Sequence, residues 1–600
     1  MSTSRSEVHG VRSAVESTEC AVNDNYGIRG ARSDFGHHDP EFRSREIIRN
    51  VDEFATKYDL GDIRPILRQG ALLLDNPDSY MQREDLTEED RAALASERFS
   101  QSGHVVFANS RSDYALHVGA FALGFAVAVL MLKSRINPYL EVTQSVLILL
   151  RSFALMAGTW LAHPLDTSVG RRGAACVAAV VMVTAGLGRS LLQEQHAIYT
   201  VDTIYFAGCG IIECELLLYL AETSLPSSRG AVVSRWLSLH GVGAATGSVT
   251  AVVVSNVADV SSSITGLLVA IPGATCLLCF WTLPESPRLC IAQEDMRSAY
   301  ETMCRLTKVK VQAARDIYQI YISAETGHHN LGLRDFLTVP SLRRAALSSA
   351  GVALAVTLLS IGVETPQPGV LSNILTYAAE SGPLKVILML LAAIFLIRIY
   401  WILNRSSSLK RRRLQLLVQL AMVAFLILSQ PVCEQRWWIA IRCAASYMLE
   451  GLIGISRIIA ATYTAELFPL RYRTLGMALG TSVAFSSNAI LLLIDLYLPF
   501  SSVFVRLSYP FVAFVLCVHV SALIAVYFLM VDTHGQTLEE INAGFETPMR
   551  KIWAYRMQLE LPHILKRSLF WKRAQLQPFE ESRYNTGGIA LSTTGDSDFP

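Results

Sequence analysis

From about position 113 to about 530 the chain is a series of apolar runs divided by short polar connections, while both flanks are polar. The runs are close to the roughly 20 residues that a helix needs to cross the hydrocarbon of a bilayer. Twelve spans are predicted, six of them near 114–133, 142–162, 173–192, 197–221, 231–255 and 263–283. The other six lie near 346–376, 383–403, 413–432, 437–461, 474–497 and 507–530.

The pattern divides the chain into an N-terminal tail (1–112), a first six-helix half (113–283), a polar linker (284–344), a second six-helix half (345–530) and a C-terminal tail (531–600). In the first tail Ile47, Ile48, Val51, Phe54 and Tyr58 recur at helical spacing, as do Ile63, Ile66, Leu67 and Leu73, which predicts short amphipathic helices. The fold class is therefore an all-α membrane protein.

Basic residues orient it, because short cytosolic connections collect Lys and Arg. One side receives Arg171 and Arg172, Arg229, the linker from Arg288 to Arg344, the cluster Lys410 to Arg413, and Arg471 with Arg473. The other holds isolated cations: Lys133, Arg135, Lys385, Arg436 and Arg506. The opening MSTSRSEVHGVRS lacks the apolar stretch of a secretory signal. Both tails are thus expected in the cytosol, with the protein in the plasma membrane as a multi-pass chain.

Composition agrees: 51% of residues are hydrophobic and 17% charged, against about a quarter charged in a soluble domain. A formal net charge of +1 provides no broad basic field, so nucleic acid is not an expected partner. The 11 cysteines show neither disulfide-framework nor zinc spacing, and Cys276 and Cys279 read as small packing residues. No metal or cofactor is expected. An enzyme is not expected either, since a phosphate-cradling glycine loop, an HExxH and a nucleophile elbow are all missing.

An internal repeat is present. Glu222 is followed by Pro226 and Arg229, and Glu466 by Pro469 and Arg473; both pairs are offset by 244 positions (466 − 222 and 473 − 229). Two parallel halves would produce this. An acid and a base flanking a proline-broken turn can form a partly buried ion pair between neighbouring helices, and such pairs can latch two bundles that rock between states.

YLAETSLPSSRG (219–230), PESPRL (284–289), AELFPLRYRTLG (465–476) and DTHGQTLEEI (532–541) resemble the cytosolic signatures of sugar porters in the major facilitator superfamily. HPLDTSVGRRG (163–173) is similar to that superfamily's loop between helices two and three, and the tail from VDEFATKYDL onward resembles the cytosolic prefix of a fungal branch. The resemblance implies the major facilitator fold and alternating access to a midplane site. It further implies a cytosolic charge network of Arg171, Arg172, Glu222, Arg229, Glu285, Arg288, Glu466 and Arg473.

At the midplane this chain departs from the family. The family's helix-five glutamine aligns with Leu237 after Trp236, and its paired helix-seven glutamines have no counterpart in GVALAVTLLSIGVETPQPG. The helix-one acidic pattern is replaced by GFAVAVLMLK, the acid of the first loop motif aligns with His163, the equivalent second-half loop reads NRSSSLKRRR, and the arginine opening helix four aligns with Asp202. Trp236, His240, Tyr463 and Asn488 remain as candidate substrate ligands, being residues with aromatic faces or groups that donate and accept.

Ionisable residues appear at membrane depth instead: Glu213, Glu215, Arg235, His240, Glu364, Arg398, Glu450 and Arg457. Charges there cost about 2.5–3.5 kcal/mol or more, so each calls for a partner or a wet cavity. Glu213 and Glu215 are two positions apart on a helix and point to different sides. One of them, with His240 nearby, is the candidate for proton coupling or for binding a substrate cation, and Arg457 or Arg235 is a candidate partner. The expected function is transport of a small polar solute, a carbohydrate or polyol, with protons as candidate co-substrate. A non-transporting nutrient sensor or degenerate relative is the alternative.

Overall fold

Helices stand where the apolar runs predict them in the computed structural model, which describes residues 40–75, 80–99, 110–133, 141–224, 229–256, 262–325, 332–359, 411–428, 436–497, 509–534 and 536–564. The predicted span at 383–403, with Glu364 and Arg398, lies outside them, as does the side chain of Glu450. No strand occurs among the described residues.

The tail helices are α1 (Pro40–Lys57), α2 (Arg64–Asp75) and α3 (Glu88–Phe99). The first half holds α4 (Ser110–Lys133), α5 (Glu141–Leu191), α6 (Gln195–Thr223), α7 (Arg229–Asn256) and α8 (Ser262–Trp281). Shorter connecting helices follow: α9 (Pro287–Ala292), α10 (Met296–Leu306), α11 (Lys310–Glu325) and α12 (Asp335–Thr338). The second half holds α13 (Pro340–Leu358), α14 (Arg411–Leu428), α15 (Arg436–Glu466), α16 (Arg473–Tyr497) and α17 (Tyr509–Leu529), with α18 (Leu538–Gly544) and α19 (Met549–Tyr555) beyond.

By contacts the chain divides into two units, residues 1–91 with 309–329, and the remainder. The smaller is built on α1, α2 and α11, so a helix of the linker folds with the tail. Phe54 lies 4.4 Å from the Tyr321 ring and 5.7 Å from Tyr318, and Arg68 forks onto Asp52 at 2.8 and 2.6 Å. Gly70 permits the approach of α2 to α11, since a Cβ there would meet the Arg315 backbone nitrogen at 2.6 Å.

The larger unit is the membrane body. Five of its described stretches are long and apolar enough to cross a bilayer: Tyr114–Met131, Val146–Leu191, Gln195–Thr223, Ser263–Trp281 and Leu470–Leu491. Hydrocarbon offers no hydrogen bonds, so the backbone there must satisfy itself as helix, and hydroxyls such as Thr203 and Thr250 donate back to carbonyls four residues earlier at 2.8 and 2.9 Å. Ile271, Leu278, Phe153 and Leu420 point outward, as a lipid-facing surface requires. The stretch Glu141–Leu191 is two helices meeting at Gly170, whose φ of 79° ends one arm and begins the next.

Each half has its own apolar core. In the first, α4 packs on α7 and α8, and α5 on α6 and α8; in the second, α13 packs on α15, α16 and α17, and α14 on α15 and α17. The halves meet where α5 touches α16 and where α6 and α7 touch α15. Trp160 on α5 donates its indole N–H to Ser482 Oγ on α16 at 2.8 Å. Beyond α17, the guanidinium of Arg556 donates to the carbonyls of Tyr527 and Phe528 at 2.7 Å and Met530 at 2.9 Å, closing that helix's C-terminal end.

Candidate functional site: two charged latches between the halves

The first latch begins at the Gly170 turn. A Cβ at this position would meet the Glu285 carboxylate at 2.5 Å, and a positive φ already favours glycine. Glu285 Oε1 accepts the backbone N–H groups of Arg172 (3.2 Å) and Ser286 (3.0 Å), which ties the turn to the connector after α8. Burial raises the Glu285 carboxyl above the usual carboxylate range, while those N–H groups pull it down.

So placed, Arg171 enters the protein rather than solvent. Its Nε and Nη2 fork onto the two Glu222 oxygens at 2.8 Å each, and its Nη1 lies 3.3 Å from Asp166 Oδ2, 3.2 Å from Glu215 Oε2 and 3.2 Å from Thr474 Oγ1. Glu222 also accepts from Ser286 Oγ at 2.5 Å and from Arg473 Nη1, in the other half, at 3.1 Å. Thr474 Oγ1 donates to Asp166 Oδ2 at 2.5 Å, a third bond across the halves after Arg171–Thr474 and Arg473–Glu222.

The second latch repeats the plan. Glu466, at the end of α15, is buried and ion-paired with Arg411, and Arg229 Nη1 of the first half stands 3.8 Å from its Oε1. Arg229 further donates to the Ala221 carbonyl (2.9 Å) and the Gln536 carbonyl (3.3 Å), and Arg411 to Thr533 Oγ1 (3.1 Å).

The two latches are exchanged relative to the sequence pairing. Glu222 meets Arg473, not Arg229, and Glu466 meets Arg229, not Arg473. Each half thus supplies the acid for the other half's base. Arg411, read from sequence only as part of a basic cluster, occupies toward Glu466 the place that Arg171 occupies toward Glu222. Its position, 240 residues after Arg171 (411 − 171), was a usable signal. The acid of the first loop is Asp166, with His163 Nδ1 3.8 Å away. Of the other expected network members, Arg172 caps the Trp281 ring at 5.4 Å, and Arg288 is buried on α9.

On α6 the two neighbouring carboxylates separate. Glu215 is fully buried and belongs to the first latch, whereas Glu213 is half-buried with His240 Nε2 3.9 Å away. Glu215 pairs with Arg171, and Glu213 lies beside His240. Trp236 stacks on the His240 ring with centroids 6.0 Å apart, but is itself almost wholly buried. Asn488 is half-buried on α16, and Arg457 is exposed on α15.

Tyr463 is held in the packing: its hydroxyl meets Ser348 Oγ at 2.6 Å and the Val531 backbone N–H at 3.0 Å, in a fully buried junction of α13, α15 and the end of α17. Tyr463→Phe should therefore lower stability by about 1–3 kcal/mol, through the stranded Val531 N–H, and leave the solute concentration for half-maximal uptake unchanged. A large rise in that concentration with unchanged unfolding temperature would mark it as a ligand.

Asp202 has also acquired a role that the sequence did not disclose. It pairs with Arg189 and lies 3.5 Å from Arg151 Nη2, so the charge expected at the start of helix four is inverted and its partners come from the two arms of α5.

Two helical halves joined by reciprocal ion pairs are the architecture of a major facilitator transporter. The profile of the family described as sugar (and other) transporter matches residues 93–545, and the chain belongs to that family. Among solved structures it is similar to the proton:xylose symporter XylE bound to 6-bromo-6-deoxy-D-glucose, with a TM-score of 0.61 at 16% identity over 72% of this chain and 98% of that one. A double-tryptophan variant of XylE gives 0.55 at 16% identity, covering 72% and 98%. XylE from E. coli in a partially occluded inward open conformation gives 0.50 at 16% identity, covering 71% and 99%. At such identity the likeness is one of fold. No curated protein sequence matches the chain.

Proposed function

We propose that the protein carries a small polar solute, a carbohydrate or polyol, across a membrane by alternating access, with both latches on the cytosolic side. The observation that carries this is the reciprocal exchange, Glu222 with Arg473 and Glu466 with Arg229. Burying these charges costs several kcal/mol of hydration per ion, which their mutual attraction offsets. Parting the halves returns the charges to water and forfeits the attraction. Two arrangements of comparable free energy follow, as a rocking carrier requires.

Family membership supports the solute class, and the sugar-binding of structural neighbours agrees with it. In this reading Arg171, Glu222, Arg229, Glu466 and Arg473 are gating residues, with Glu285 setting the Gly170 turn. Glu213 with His240, backed by Trp236, is the candidate for proton coupling or for holding a substrate cation, and Asn488 contributes from the second half.

Uptake of labelled carbohydrates and polyols into transporter-deficient cells, measured across pH, tests the proposal. Saturable uptake is expected for at least one solute, and Glu213→Gln is expected to lower it several-fold. Wild-type uptake and pH dependence in that variant would remove the Glu213–His240 pair from the mechanism. Growth signalling without uptake of any solute would replace the carrier with a sensor.

A further inference from the structure

Donor arithmetic at the first latch does not close with every carboxylate ionised. Arg171 has five N–H hydrogens, of which the three on Nε and Nη2 are directed to the Glu222 side through one bond from each nitrogen. The two on Nη1 face three acceptors: Asp166 Oδ2, Glu215 Oε2 and Thr474 Oγ1. Asp166 has compensation, since Thr474 donates to it and His163 stands 3.8 Å away. Glu222 accepts from four donor atoms: Arg171 Nε and Nη2, Ser286 Oγ and Arg473 Nη1. Glu215 has only the shared contact, and its Oε1 is buried with no hydrogen-bond partner. A bare carboxylate oxygen in such a place is far costlier than a neutral carboxyl.

We propose that Glu215 binds a proton while the latch is closed and releases it when the halves part, so that the closed state is favoured by acid on the latch side. This rests on the latches being the moving contact of a carrier. The groups set against Glu215 are Asp166 and Arg171 from α5, with His163 3.8 Å from Asp166; Glu222 and Cys214 on its own helix; and Thr474 and, through Glu222, Arg473 from α16. Three carboxylates around Arg171 make the site acidic, and the approach of α16 completes the enclosure. Because the closed form holds one more proton than the open form, lowering pH shifts the balance toward closure and raising it shifts toward opening. Glu213, two positions away and turned toward His240, has no part in this switch.

Hydrogen–deuterium exchange of full-length protein in lipid nanodiscs, corrected for intrinsic rates between mildly acidic and mildly alkaline pH, reads the latch through peptides covering 163–175 and 466–476. In the wild type protection should fall several-fold as pH rises; Glu215→Gln, a neutral isostere, should stay protected throughout; Glu53→Gln, on the exposed face of a tail helix, should behave as wild type. A flat wild-type profile, or a Glu215→Gln profile retaining the wild-type pH dependence, overturns the proposal. Arg473→Ala separates the two levels: it should reduce protection at every pH, and if it does not, the latch reading itself fails. Should Glu215→Gln not fold, infrared difference spectra provide the second test. A carboxylic-acid carbonyl band lost on alkalinisation must shift in Glu215→Asp, and an unshifted band overturns the assignment.

Discussion

Arg171→Ala is expected to destabilise the protein by about 3–5 kcal/mol, the range for removing one partner from a buried ion pair. The cost has a particular origin here. Asp166, Glu215 and Glu222 are all within 3.3 Å of this one guanidinium, and its removal leaves them facing one another in a buried site. Arg171→Lys should recover only part of the loss, since an ammonium cannot fork onto Glu222 while reaching the other two. Thermal unfolding of detergent-purified protein checks both variants. A change no larger than that of Arg49→Ala, an exposed tail arginine, would show that the latch contributes nothing to stability.

Gly124→Val should yield no folded protein, a penalty above about 4 kcal/mol. A Cβ at Gly124 on α4 would fall on the carbonyl oxygen of His240 on α7, while Gly243 and Gly247 on α7 are pressed in the same way against the carbonyls of Phe121 and Phe125 on α4. The two backbones touch along more than a turn, with small residues four apart at the contact, as membrane helices that gain nothing from the hydrophobic effect often pack. Valine must drive the helices apart and carry the His240 ring with them. Gly241→Ala is the control: nothing lies within 4 Å of its Cβ position, so alanine should be neutral or stabilise by up to about 1 kcal/mol. Monodisperse yield on size exclusion distinguishes the two, and equal yields would mean that the α4–α7 contact is not as close as described.

Much of this architecture was legible because its cause is local. A run of apolar residues long enough to cross hydrocarbon announces itself, and so does a glutamate and arginine spaced alike in two halves. Partnership is not local. Nothing near Glu222 indicates that its cross-half base lies 251 positions away, while Arg229, seven positions on, serves another acid. Arg411 was hidden because the loop before it has lost the acid and glycine that mark its counterpart. Glu213 and Glu215 were correctly read as pointing to different sides, but which side held the latch depended on packing by α5 and α16. The surroundings of Tyr463 were hidden for a related reason: its motif marks the end of α15, and only the approach of α13 and α17 brings Ser348 and the Val531 N–H to its hydroxyl.

The reciprocal exchange also constrains how such a chain is made and how it changes. While the first half emerges from synthesis, Glu222 has Arg171 but must wait for Arg473, and Arg229 waits for Glu466. Each half is therefore completed by the other, and the latch forms only after both have been inserted. The same interdependence holds over generations: a substitution at Glu222 is felt at Arg473 and one at Glu466 at Arg229, so residues nearly half a chain apart are bound to vary as pairs.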